Sequence, residues 1–534
     1  MTTIETRGDG PGPGPIRSLV PARIDRLMWS NFHTRLVMAL GVAWVLDGLE
    51  VQIASLSASR ISKPEALGLS SGSVSFSIGT VYLLGEVAGA LFFGRLSDKW
   101  GRRNLFMITL GVYLFGGLLT AGVAGKGQGW VIFLDASRFI AGMGIGGEYA
   151  AINSAIDELI PARYRGRVDI GVNGTYWAGA LLATVLSLAV VNHLPASWGW
   201  RVGFLFGPAL GFLVLFVRQN LPESPRWLVA HGRVEEAEAA IDNIERRTKE
   251  SGGELAPVDE SKAIEVRPPD DTGFVALARN LFTTYPRRSI LGASLMIAQS
   301  FLYNAIFFTY ALVLTKVYHV ADGSTPYYFM VFAAGNLAGP LLLGGLFDTI
   351  GRRKMIAGTY FISGVLLALS AVLFQAGALT AVTQTACWCV IFFFASCGAS
   401  AAYLTVSEIF PVEIRAKAIA VFFSIAQFFG SLGPFLYGKL IGKGTNHTNL
   451  FIAYLIGAVV MLAGAVVEAV IGVDAEGQSL EDLSSLEGDG GPSTRHSNVT
   501  GAPRPPAART VIDPAGSPAK PDGPRRPDSP HDQP

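Results

Sequence analysis

The sequence predicts an all-α membrane protein of twelve spanning helices, built as two six-helix halves of like design. Three observations carry that prediction. The 534 residues are 50% hydrophobic, and the apolar residues fall in long runs rather than alternating. Only 16% are charged, against roughly 25% in soluble domains. Two motifs recur at one spacing. Gly94, Leu96, Asp98, Gly101, Arg102 and Arg103 reappear as Gly344, Leu346, Asp348, Gly351, Arg352 and Arg353. Glu158, Pro161 and Arg165 reappear as Glu408, Pro411 and Arg415. Both offsets are 250 (344 − 94 and 408 − 158), which points to a duplicated half.

The first 35 residues are Gly- and Pro-rich and then polar, with no apolar stretch and no expected signal peptide. A spanning helix needs ~20 apolar residues. Such runs lie at 36–57, 74–94, 104–124, 130–156, 168–191 and 200–218. A second set lies at 288–313, 327–347, 355–376, 380–406, 416–438 and 450–472. The expected divisions are therefore an N-terminal segment 1–35, a first half 36–218, a linker 219–287, a second half 288–473 and a tail 474–534. In the linker, Glu235, Glu236 and Glu238 precede Arg246, Arg247 and Lys249. Acid early and base late suits the dipole of a surface helix. The tail is polar and becomes rich in Pro, Gly and Ser, a composition that cannot bury enough to fold.

Lys and Arg cluster in alternate short loops. Arg95, Lys99, Arg102 and Arg103 follow the second run, and Arg163, Arg165 and Arg167 the fourth. Arg352, Arg353 and Lys354 follow the eighth, and Arg415 and Lys417 the tenth. The positive-inside rule places those loops, and with them both termini, in the cytoplasm. A multi-pass cell-membrane protein follows. The net charge of +1 gives no reason to expect nucleic acid as a partner. Cys387, Cys389 and Cys397 fall in one apolar run and read as small packing residues. No phosphate loop, nucleophile elbow or paired-His metal spacing occurs, so neither an enzyme nor a cofactor is expected.

Twelve spans with this repeated loop resemble the major facilitator superfamily over about 30–475. Arg138, Gly142, Gly144, Gly146, Gly147, Glu148 and Tyr149 are similar to span four of the sugar porters and related metabolite–proton symporters. The run Pro222, Glu223, Ser224, Pro225, Arg226, Trp227 and Leu228 matches the sugar-porter sequence after span six, and Gly477, Leu480, Glu481 and Asp482 resemble that group's ending. Asp47, Gly48, Leu49 and Glu50 look instead like the span-one motif of aromatic-acid–proton symporters. In span seven Gln299 and Asn304 fit the sugar-binding pattern, while Ala298, Phe301, Leu302, Phe308 and Thr309 do not. Asn173 stands where sugar porters place Gln, and Ala399 and Tyr403 fall where they place Gly and Trp. The resemblance implies solute transport by alternating access, with Asp98 in a gating role. The other charges of the two repeated motifs, Arg102, Arg103, Asp348, Arg352 and Arg353 with Glu158, Arg165, Glu408 and Arg415, are further candidate gating residues from their equivalent places at the helix ends.

Charges at membrane depth are expensive and face a cavity or a partner. Asp47 and Glu50 are three apart and share a helix face. Two carboxylates there cannot both stay charged at low cost, so the pair suits proton coupling. Arg138 is the natural counter-ion, either to Glu50 or to Asp135 one turn earlier. Glu86 is a second candidate proton carrier. Asn173, Tyr176, Trp177, Gln299, Tyr303, Asn304, Asn336, Tyr403 and Gln427 form the candidate substrate cluster. The expected function is a monomeric proton-coupled symporter of a small organic solute such as a sugar, polyol or organic or aromatic acid. The alternatives are a drug–proton antiporter and a non-transporting sensor.

Overall fold

In the computed structural model the described residues are 16–218, 223–252, 255–258, 260, 263–266, 273–410, 412–444 and 446–473. The first six spanning helices are α1 (Asn31–Ile61), α2 (Val81–Trp100), α3 (Arg102–Ala121), α4 (Gln128–Leu159), α5 (Ala162–Ala189) and α6 (Ala196–Arg218). The second six are α7 (Pro286–Phe307), α8 (Thr325–Leu343), α9 (Arg352–Gln375), α10 (Ala381–Ile409), α11 (Val412–Ile441) and α12 (His447–Ile471). Among the described residues, eleven helical stretches are long and apolar enough to cross a membrane. The twelfth spanning helix is α4, 32 residues long, whose glycines and charges dilute its hydropathy.

The packing repeats with the sequence. In the first half α1 packs on α5 and α6, α2 on α4, and α3 on α4 and α6. In the second, α7 packs on α11 and α12, α8 on α10, and α9 on α10 and α12. The α2–α4 crossing shows why. A Cβ on Gly85 would lie 2.2 Å from the Phe139 carbonyl oxygen, and one on Gly89 2.1 Å from that of Met143. At the matching positions, a Cβ on Gly339 would lie 2.1 Å from the Phe393 carbonyl oxygen, and Gly335 abuts Cys389. Without a hydrophobic drive between helices in lipid, backbone contact through small residues holds such pairs. The repeated loops match too. Gly101 (φ +82°) and Gly351 (φ +109°) each start the next helix in a left-handed conformation that glycine adopts without steric cost.

Two irregularities matter for the site. Helix α2 is preceded by a short helix Ser71–Ser75 and a π-turn Phe76–Thr80. Such turns offset backbone carbonyls from the regular ladder. Helix α7 stops at Phe307, and Tyr310–Leu312 resumes the path before a second π-turn, Val313–Val317.

The halves meet where α2 packs on α11 and α5 on α8. On the face opposite the repeated loops, Lys63 pairs with Asp322 at 2.5 Å. There Asn192 donates to the Gly323 carbonyl at 2.9 Å and Ser71 to that of Gly442 at 2.8 Å. Deeper in, Thr80 donates to the Ser431 carbonyl at 2.7 Å and Ser55 to that of Phe307. That face is sealed by contacts between the halves.

The linker forms short helices Pro225–Ala230 and Val234–Glu250. A two-stranded antiparallel pairing, β1 (Ile16–Ser18) with β2 (Ile264–Val266), ties it to the N-terminal segment. Arg23 bonds Glu238, Asp242 and Glu245 at 2.5, 2.5 and 2.8 Å, and Arg26 bonds Glu245 at 2.5 Å.

Candidate functional site

A cavity of about 110 Å³ lies between the halves. Helical spacing builds its walls. Trp44, Asp47 and Val51 on α1 stand three and four apart, as do Gln299 and Tyr303 on α7 and Ser396, Ala399, Ser400 and Tyr403 on α10. Leu83 and Glu86 from α2, Tyr149 from α4, Asn173, Tyr176 and Trp177 from α5, and Gln427 from α11 complete the lining with Ser300 and Asn304. Eight of the nine residues in the candidate substrate cluster thus face one space. The ninth, Asn336, is buried behind it, accepting from Tyr303 Oη at 3.3 Å and donating to the Phe332 carbonyl at 3.0 Å. It props a wall residue.

The four proposed proton-coupling residues separate into two groups. Glu50 and Arg138 are fully buried and form an ion pair outside the cavity lining. Arg138 also donates to the Ile78 carbonyl at 3.2 Å, inside the π-turn. Its guanidinium stands 4.4 Å from the Tyr82 ring centre and 5.0 Å from that of Phe204, and Tyr113 Oη lies 3.3 Å from Glu50 Oε2. Arg138 therefore turns to Glu50 and its aromatic neighbours. Asp47 and Glu86 face the cavity. Asp47 accepts from Tyr82 Oη at 3.2 Å and from Tyr149 Oη. Glu86 accepts from the Gln427 side-chain amide, while Gln427 Oε1 accepts from Ser300 at 2.5 Å and Asn304 at 3.2 Å. The Glu86–Gln427 bond joins the two halves inside the cavity.

Asp47 and Glu50 thus share a helix but not an environment. Tyr82 stands between them: its hydroxyl serves Asp47 and its ring lies against the Arg138 guanidinium. Tyr82, Tyr113, Ser300 and Trp44 were not singled out from sequence, and Tyr149 was noted only as the end of the span-four motif. Tyr82 carried one readable signal, its place one turn before Glu86 on an apolar helix.

Of the candidate gating residues, the side chains of Asp98, Arg102, Glu158, Arg165, Asp348, Glu408 and Arg415 lie outside the described residues. The Arg103 amide donates to Glu223 Oε2 at 3.3 Å, so the first repeated loop docks on the segment after α6. Arg353 donates to the Ala469 carbonyl, so the second docks on α12. Arg352 is half-buried at the start of α9. The three cysteines are free, in line with packing residues.

A closed bundle of spanning helices with a polar cavity between two halves defines a membrane transporter. Residues 52–486 match the family described as "Sugar (and other) transporter", and the chain belongs to that family, within the major facilitator superfamily. It is similar to the niacin transporter NiaP of Acinetobacter baylyi, 28% identical over 86% of this chain and 99% of that protein. The putative metabolite transport protein YdjK of Escherichia coli is 27% identical over 87% and 96%. Among solved structures, the proton:xylose symporter XylE aligns with a TM-score of 0.69 at 20% identity, covering 85% of this chain and 99% of that one. The chain is a multi-pass membrane transporter of metabolites, and its relatives are transporters rather than enzymes.

Proposed function

We propose that the chain is a proton-coupled symporter that takes up a small organic solute by alternating access, with Glu86 as its proton-carrying group and Asp47 as the second carboxylate of the cavity. One observation carries the reading: the buried charges are unequally matched. Glu50 has Arg138, whereas Asp47 and Glu86 meet hydroxyl and amide donors, and no Lys, Arg or His is among the described residues lining the cavity. Holding two bare carboxylates at membrane depth is costly, and protonation lowers that cost. The Glu86–Gln427 bond gives the proton a structural consequence. A charge-assisted bond is about twice as strong as a neutral one, so protonating Glu86 weakens a link between the halves and eases their rocking.

The halves 36–218 and 288–473 are the moving bodies, and the face sealed by Lys63–Asp322 is the one closed here. We place the repeated loops and both termini in the cytoplasm of a cell-membrane protein that works as a monomer. Relatives are named for niacin, and for organic cations and carnitine, while the structural neighbour is named for xylose. The names agree on a small organic solute.

The test is uptake into proteoliposomes with external pH recorded. Solute-dependent alkalinisation and accumulation driven by an inward proton gradient are expected. Glu86→Gln should cut accumulation at least tenfold and spare solute counterflow. Wild-type flux indifferent to the proton gradient sinks the coupling, and full accumulation by Glu86→Gln sinks the assignment of Glu86.

A further inference from the structure

We infer that the cavity takes a small organic cation with an aromatic or alkyl body and one hydrogen-bond acceptor, seated with its positive charge against Asp47. The inference rests on the proposed transport site and names the cargo of that site.

The charge of the lining is the first ground. Asp47 and Glu86 both contribute carboxylates, and the described residues around the cavity include no cationic side chain. The fully buried Arg138 is already committed to Glu50, to the Ile78 carbonyl and to the rings of Tyr82 and Phe204. A carboxylate cargo would meet two like charges and no partner. A cation meets opposite charge. Two negative groups are neutralised by two positive ones, one cargo and one proton, so cation binding at Asp47 and proton binding at Glu86 together bring the occupied site close to neutral.

The aromatic lining is the second ground. Trp44 and Tyr149 stand edge to face at 4.5 Å, and Tyr176 and Trp177 at 5.2 Å. Asp47 is on the same helix as Trp44, one turn on, and is bonded by Tyr149. A carboxylate in a cavity lined by aromatic side chains is the chemistry that recognises an organic ammonium or pyridinium, through charge and through the ring quadrupoles together. A hexose could stack on the rings and donate its hydroxyls to the carboxylates, but it would leave both negative charges without a counter-charge.

The third ground is independent of charge. Trp44 is 7% exposed, lines the cavity, and its indole Nε1–H has no hydrogen-bond partner among the described residues. A buried donor left unpaired is costly. It supplies a place for an acceptor on the cargo, a carbonyl or hydroxyl beside the cationic centre.

Three probes on one ring isolate the charge: 1-methylpyridinium-3-carboxamide, the uncharged pyridine-3-carboxamide, and pyridine-3-carboxylate. Binding to the purified full chain is read from tryptophan fluorescence, with Trp44 and Trp177 as reporters at the site, and transport is read in proteoliposomes. The cation is expected to bind at least tenfold tighter than the carboxylate. Asp47→Asn is expected to weaken the cation at least tenfold and the uncharged probe less than threefold. A carboxylate that binds as tightly as the cation, binding of none of the three, or an unchanged preference in Asp47→Asn overturns the inference. The wild-type ratio stands without the variant if that variant does not fold. If the carboxylate wins and its uptake still moves protons, the cargo assignment falls and proton coupling stands. If the cation wins with no solute-linked proton movement, the cargo assignment stands and the coupling falls.

Discussion

The two halves of this protein share a fold and differ in chemistry, residue for residue. Adding 250 to a position in the first half gives its counterpart in the second, as the ends of α4 and α10 show (159 and 409). The glycine crossings survive that operation: Gly85 against Phe139 becomes Gly335 against Cys389, and Gly89 against Met143 becomes Gly339 against Phe393. The buried charge network does not survive it. Glu50 becomes Ser300, Arg138 becomes Trp388, Tyr82 becomes Phe332 and Tyr113 becomes Ser363. Trp388, fully buried, packs edge-on to Tyr310 at 4.7 Å and to Tyr454 at 5.8 Å. One half holds a charge where the other holds a ring. Helix packing in lipid constrains the small residues that let backbones touch and leaves the larger positions free to diverge. The duplicate could therefore keep its shape while one copy specialised in charge and the other supplied amides and hydroxyls to the cavity.

The strongest way to break this comparison is to push the first half toward the second. Arg138→Met removes the cation and leaves Glu50 buried alone, at a cost of about 3–5 kcal/mol. Adding Glu50→Gln should recover most of that loss, because the second half shows that this layer packs without charge. Thermal unfolding of the purified variants reads both. A single variant as stable as wild type, or a double variant no better than the single, shows that the pair is not what the first half depends on.

What was legible in the sequence follows the same division. The duplicated loop and its 250-residue offset fixed the architecture, because turns that need left-handed glycine at Gly101 and Gly351 leave a visible signature. The cavity was legible in outline too: polar residues inside apolar runs have few places to go, and eight of the nine singled out line it. The split between Asp47 and Glu50 was not legible. Three residues along a helix fixes a common face but not which neighbour each side chain meets, and that is decided by Tyr82 and Tyr149 on α2 and α4. Asn336 misled for the same reason, since an amide propping Tyr303 and an amide facing solute read alike. The bond between Glu86 and Gln427 spans 341 positions and carries no local pattern at all.

The repeated loops offer a smaller contrast. Alanine at Gly101 or Gly351 must adopt a positive φ, at about 1–2 kcal/mol each. At Gly101 the new Cβ would also fall 2.3 Å from Glu223 Oε2 and disturb the acceptor of the Arg103 amide. Gly101→Ala should therefore lower the melting temperature more than Gly351→Ala. Equal losses would show that the docking of the first loop on Glu223 contributes nothing beyond the turn. Smaller again is the exchange of one hydroxyl. Tyr82→Phe, the residue found at its counterpart Phe332, keeps the ring against Arg138 and removes one bond to Asp47. It should weaken cation binding by about 1 kcal/mol, roughly fivefold, whereas Phe332→Tyr should leave binding unchanged. Tyr82→Phe with wild-type affinity would mean that Tyr149 alone holds Asp47.

The smallest effect lies outside the spans, where the halves also differ: the helix Val234–Glu250 docks on the start of α1, with Thr248 Oγ1 3.4 Å from Ser30 Oγ. Burial by itself would push the Glu245 carboxyl up, but the hydrogen bonds and charges of Arg23 and Arg26 outweigh it and hold it below the ordinary value of 4.5. The sign follows. A carboxyl depressed in the folded state stabilises docking fully above pH 4.5 and loses that contribution as the pH falls through its lower folded value. The contribution is about 0.5 kcal/mol. Amide exchange in Val234–Glu250 should therefore stay constant from pH 7 down to about 5 once corrected for intrinsic rates, then rise a few-fold at lower pH. Arg23→Gln should show that rise already at pH 7. Exchange in Arg23→Gln that matches wild type at neutral pH would show that the apolar contacts of Ala237, Ile241 and Ile244, buried on that helix, hold the linker to the first half without help from its charges.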